Sequence, residues 1–158
     1  MMQRHWRNWR AVGRGASALA LVAALSLAGS VVRAAEPGMS LHHPWMRTII
    51  PSRPAAGYFT LKNDGAAVRT LTGAQSSACG TLMLHKSVDK NGVDHMIMQK
   101  RIPVPAHGTL TFAPGGYHLM CMKPTKAVRR GNSVPVTLKF ADGGTLTASF
   151  PVHGVGGK

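Results

Sequence analysis

The run TLMLHKSVDKNGVDHMIM, residues 81–98, reads as two strands joined by a tight turn. In a strand, residues two apart share a face. Leu82, Leu84 and Ile97 then point one way, toward a core. Met83 and His85 share the other face of the first strand, and Met96 and Met98 share a face of the second. The intervening Asn91-Gly92 favours a two-residue type I′ hairpin. That register sets His85 opposite Met98 and diagonal to Met96. A loop two residues longer sets His85 directly opposite Met96. Either way the two share a face, about 5 Å apart when opposite or about 7–8 Å when diagonal.

The same pattern continues outward. Gly57–Lys62 is strand-like and ends at Asn63-Asp64-Gly65, and Val68–Leu71 follows. Val93–Val104 reads as one run ending at Ala106-His107-Gly108. Thr109–Phe112 precedes Pro114-Gly115-Gly116, and Tyr117–Met122 is another strand. Lys123–Ser133 is a long irregular link. Val134–Phe140 and Thr145–Val152 form a hairpin around Asp142-Gly143-Gly144. Short strands at intervals of roughly 8–12 residues, punctuated by glycine turns, predict an all-β fold, a sandwich or barrel.

Residues 1–34 read as a secretory signal. Arg4, Arg7, Arg10 and Arg14 form a basic region, Ala16–Ala28 a small and apolar one, and Val32-Arg33-Ala34 a cleavage site. This places the folded domain at 35–153, a short tail at 154–158, and the protein in the periplasm. The 13-residue apolar run falls short of the roughly 20 residues that span a bilayer. No cysteine stands at the cleavage site to carry a lipid, so no stable membrane insertion is expected after cleavage. Beyond Ala34 the chain holds fourteen Lys and Arg against five acids. Export, and the absence of aromatic residues interleaved with these cations, argue against nucleic acid and for an acidic partner. Five acids, no Ser-His-Asp order and no phosphate loop give an enzyme little to work with.

Beyond Ala34 there are seven Met and seven His, nine of them between Met83 and Met122. On the Tyr117–Met122 strand, His118, Met120 and Met122 share a face, with Leu119 and Cys121 on the other. This strand is expected to reach the His85–Met96 pair from across the fold. Any one of these methionines alone reads as core filling; the combined set does not. Thioether and imidazole without carboxylate or thiolate make a soft, neutral donor set, which selects Cu(I) over zinc, magnesium or calcium. Neutral ligands hold copper and still permit exchange, the behaviour of a carrier.

His85 and Met96 have ten residues between them, Met96 and His118 twenty-one, and His118 and Met120 one. This spacing resembles the signature of the periplasmic copper chaperones of the PCuAC type. Pro44-Trp45-Met46-Arg47, Ala55-Ala56-Gly57-Tyr58-Phe59 and Pro114-Gly115-Gly116-Tyr117-His118-Leu119-Met120 resemble further segments of that family. The resemblance implies a cupredoxin-like Greek-key β-sandwich and Cu(I) held by His85, Met96, His118 and Met120. It also implies delivery of copper to a respiratory oxidase centre of the CuA type, with cytochrome oxidase subunit II or another assembly chaperone as acceptor. Met83 stands where the family often has Glu, and Cys121 where it commonly has Leu. The tail carries only His153, in place of the His- and Met-rich extension of some members.

Cys79 and Cys121 are open to a disulfide or to two thiols. Alternation puts Cys79 on the His85 face unless Gly80 resets it. His42 and His43 read as a solvated segment, or as a Cu(II) site with a nearby ligand. His107, in a turn, reads as surface, and His95 alternates away from Met96. Lys123, Lys126, Arg129 and Arg130 read as a solvated loop, or as a dock for an acidic acceptor. Two other functions compete. A cupredoxin-like electron carrier needs two His, a thiolate and a weak axial Met, and Cys121 lies in the wrong order for it. A noncatalytic exported binding module, its methionines in the core, predicts no stoichiometric Cu(I).

Overall fold

The computed structural model describes residues 38–156; the expected signal at 1–34 lies outside them. Alternation along the chain becomes ten strands: β1 (Met39–Arg47), β2 (Ala55–Asn63), β3 (Arg69–Gln75), β4 (Cys79–Lys90), β5 (Val93–Gln99), β6 (Ile102–Val104), β7 (Gly108–Phe112), β8 (Tyr117–Pro124), β9 (Ser133–Phe140) and β10 (Thr145–His153). Among the described residues every regular element is a strand.

The strands form one hydrogen-bonded sheet in the order β5-β4-β8-β7-β2-β1-β10-β9-β3-β6. A parallel join between β1 and β10, at Met46–Val152 and Arg47–His153, links its two halves. The sheet folds back on itself so that β3 packs against β4, giving the cupredoxin-like sandwich. Inward residues alternate along the covered strands, as Val134, Val136, Leu138 and Phe140 do on β9. At the centre Phe59 stacks on Phe112 at 4.3 Å and meets Phe150 edge-on at 5.8 Å. Asn63 is buried, and its side-chain amide donates to the carbonyls of Ala67, Val104 and Pro105, tying the end of β2 to β6.

The Asn91-Gly92 turn forms as expected. Both residues are left-handed, at φ 57° and 79°, and Lys90 pairs with Val93, the geometry of a type I′ hairpin. Other expectations need correction. Val93–Val104 is two strands rather than one. The charged pair Lys100-Arg101 breaks the alternation, and β6 crosses to pair with β3, where Ile102 and Val104 are buried. Ile97 does not join the core; it is 43% exposed, because β5 is an edge strand without a covering layer. β1 begins at Met39, so His42 and His43 belong to a strand. A bulge between His42 and Trp45 puts His43 at φ 49°.

Cys79 and Cys121 form a disulfide across a separation of 42 residues. Regular alternation would turn Cys79 outward. The reset occurs at Gly80, beside Lys123, which sits at φ 49°. Closing a loop of this length stabilises a fold by about 4 kcal/mol in the chain-entropy model. The Cys79→Ala/Cys121→Ala variant is expected to lose stability on that scale in urea unfolding. A loss below about 1 kcal/mol would contradict the entropic account.

Candidate functional site

β4 lies between β5 and β8, and the two registers bring the soft side chains together. Across β4 and β8, Met83 pairs with Met120 and His85 with His118. Across β4 and β5, His85 pairs with Met98 and Ser87 with Met96. Directly opposed residues project from the same side of a sheet. His85, Met96, His118 and Met120 therefore share one face, with Met83, Met98 and Met122. β8 does not come from across the fold, as the sequence led one to expect; it is the immediate neighbour of β4. On the reverse face Leu82, Leu84, Leu119 and Cys121 are buried in the core.

The turn before β8 sets the imidazoles. Gly115 takes φ 79°, and Gly116 N–H donates to the Ala113 carbonyl at 3.0 Å, closing a type II turn with Pro114 at its first central position. The Gly116 carbonyl then accepts two bonds, from the Ser87 N–H at 3.0 Å and from His118 Nδ1–H at 3.1 Å. Because a carbonyl can only accept, His118 carries its proton on Nδ1 and leaves the Nε2 lone pair free. His118 is 4% exposed, and its Nε2 is buried with no hydrogen-bond partner among the described residues; His85 Nδ1 is in the same condition. The two rings are 5.7 Å apart and steeply inclined. Unpartnered buried nitrogens are costly, and a cation that accepts both lone pairs removes the cost.

Met96, His118 and Met120 line a cleft of about 360 Å³ with Arg47, Tyr58 and Asp94. Met96 is 59% exposed at the rim, while Met120 is partly buried. Among the described residues no three His, Cys, Asp or Glu gather around one point. Beside the imidazole of His118, the side-chain donors that line the cleft include the thioethers of Met96 and Met120 and the Asp94 carboxylate. Both cysteines are in the disulfide, so the thiolate of a blue-copper electron carrier is absent from the described residues. The donor set fits a soft monovalent ion.

His42, His43, His95 and His107 stay apart, while His153 packs edge-on against Trp45 at 5.9 Å. His42 and His43 are exposed on β1, with His42 Nε2 bonded to Ser40 Oγ at 2.9 Å. His95 pairs with Val88 and faces away from Met96. His107 is exposed in its turn. Lys123, Lys126, Arg129 and Arg130 are all exposed. Sequence reasoning missed the Gly116 carbonyl and the aromatic wall beside the cleft. Tyr58 is buried there between Trp45, 4.7 Å away, and the Arg47 guanidinium, 5.5 Å from its ring. The Tyr58 segment is legible as a strand and the Trp45 segment through the family resemblance alone, but nothing in their spacing assigns them to the site.

Residues 39–152 match the family model described as "Putative lipoprotein LpqE-like". The chain belongs to the LpqE-like family. A curated relative, the putative lipoprotein Lxx21020 of Leifsonia xyli subsp. xyli (strain CTCB07), is 36% identical over 121 residues, covering 76% of this chain and 72% of the relative. Among solved structures, Cu(I)-DR1885 from Deinococcus radiodurans is 32% identical with a TM-score of 0.59, over 79% of this chain and 82% of that one. The copper-bound PCuAC domain from PmoF2 has a TM-score of 0.62 at 23% identity, over 74% of this chain and 93% of that one. This LpqE-like chain thus has the fold of the PCuAC domains.

Burial, and after it the charge of neighbouring His118, push His85 below its ordinary value of 6.5. A depressed folded value means stability that is present above 6.5 and lost as the pH falls through the folded value. In the metal-free protein the His85 ring signals are expected to titrate below 6.5 by NMR. A midpoint at or above 6.5 contradicts this environment.

Proposed function

We propose that this protein is an exported Cu(I) carrier in which His85, Met96, His118 and Met120 hold one ion and pass it to an acceptor protein. The observation that carries the reading is the cross-strand His85–His118 pair, its buried ring nitrogens unpartnered and thioethers beside it. Support comes from the copper-bound relatives, one of them sharing 32% identity with this chain. Export is supported by relatives named as lipoproteins and by the disulfide, which suits an oxidising compartment.

The geometry suggests how the ion moves. His118 is fixed by Gly116 and buried, so it anchors the ion. Met96 sits exposed on an edge strand, so it is the donor an incoming ligand displaces first. Exchange of one neutral donor for another moves the ion without changing its charge or oxidation state. The periplasm is the compartment this reading assigns, and a CuA-type centre of a respiratory oxidase is the destination suggested by the PCuAC resemblance. An excess of nine positive charges beyond Ala34 favours an acceptor with an acidic rim. The function is binding and transfer rather than catalysis.

The protein is expected to take one Cu(I) tightly per chain in anaerobic competition with a chromophoric chelator. The His85→Ala/Met120→Ala variant loses that competition, its affinity falling at least about 100-fold if each donor is worth 1.4 kcal/mol or more. Unchanged competition by a folded double variant would remove the four-residue site.

A further inference from the structure

The four proposed ligands leave three thioethers on the same face unused. Met98 lies directly opposite His85, and Met83 directly opposite Met120. Leu84 pairs with Gln99, which puts Met83 and Met98 on a diagonal of the β4–β5 ladder, within reach of side chains of this length. Both line a second hollow of about 240 Å³, with Thr72, Gly73, Gln99 and Lys100 along its wall. Among the described residues, none lines both this hollow and the cleft of Met96, His118 and Met120.

Core filling does not account for Met98. It is 54% exposed, on an edge strand where Val93, Met96 and Ile97 are exposed as well. Among the described residues, the second hollow has no carboxylate, thiolate or imidazole in its wall. Hard cations would find only the neutral oxygens of Thr72 and Gln99 there, zinc finds none of its usual thiolate, imidazole or carboxylate ligands, and Lys100 disfavours multiple charge. A soft monovalent ion that bonds to sulfur is the cation these groups suit.

We propose that Met83 and Met98 form a second, thioether-only Cu(I) subsite, beside the first along β4 and weaker for want of imidazole. The inference rests on the reading of this face as a Cu(I) site and adds a second ion to it.

The test is a titration of protein labelled with 13C at the methionine methyls, using Cu(I) itself under anaerobic conditions and read by NMR. The Met96 and Met120 methyls are expected to move with the first equivalent, and Met83 and Met98 with the second. Met39 and Met46, buried in the core, serve as the fixed reference. In the Met83→Leu/Met98→Leu variant, which keeps volume and apolarity, the second stage disappears and the first remains. The subsite is overturned if Met83 and Met98 stay still through two equivalents, move together with Met96 and Met120 in the first, or if the double variant keeps the second stage. Movement of Met83 and Met98 without Met96 and Met120 would sink the four-residue carrier site and leave the subsite standing.

Discussion

The pairing of β4 with β8, in the register that sets His85 against His118, is the constraint on which the rest depends. A slip of one residue on either strand would turn its whole set of side chains to the other face. The imidazoles would enter the core, and leucines would face water. Three contacts hold the register. Leu84 and Leu119 pair within the core, the Cys79–Cys121 disulfide ties the far end, and Ser87 N–H bonds Gly116 at the near end. The last contact has a double role, because the same carbonyl fixes the tautomer of His118. Fold and site are joined at one oxygen atom.

What could be read from the sequence divides by range. The Asn91-Gly92 hairpin is local, and its chemistry gave both the turn and the His85–Met98 register. The inward and outward faces of β4 and β8 follow from alternation, which also turned Cys121 away from Met120. The adjacency of β4 and β8 is non-local; nothing in either segment marks the other as its neighbour, and β8 was expected from the opposite side. The split between β5 and β6 depends on which layer covers each segment, a tertiary fact. Ile97 fails for the same reason, since an apolar residue on an uncovered edge strand has no core to enter. Cys79 turned inward because the backbone reset at Gly80, which alternation alone cannot foresee.

The arrangement suits a cargo that must be held and then released. One wall of the site is anchored: His118 is buried, hydrogen-bonded and backed by the core. The other is an edge strand whose methionines stand in water. In the proposed site, soft, uncharged donors would leave a bound ion accessible to a competing sulfur or imidazole from outside, without an oxidant or a proton transfer. The disulfide leaves no free thiol among the described residues to be lost to oxidation.

X-ray absorption on the protein loaded anaerobically with one equivalent of Cu(I) would identify the donor atoms. A mixed shell of imidazole nitrogen and thioether sulfur is the expected result. A shell of nitrogen and oxygen alone, without sulfur, would contradict it.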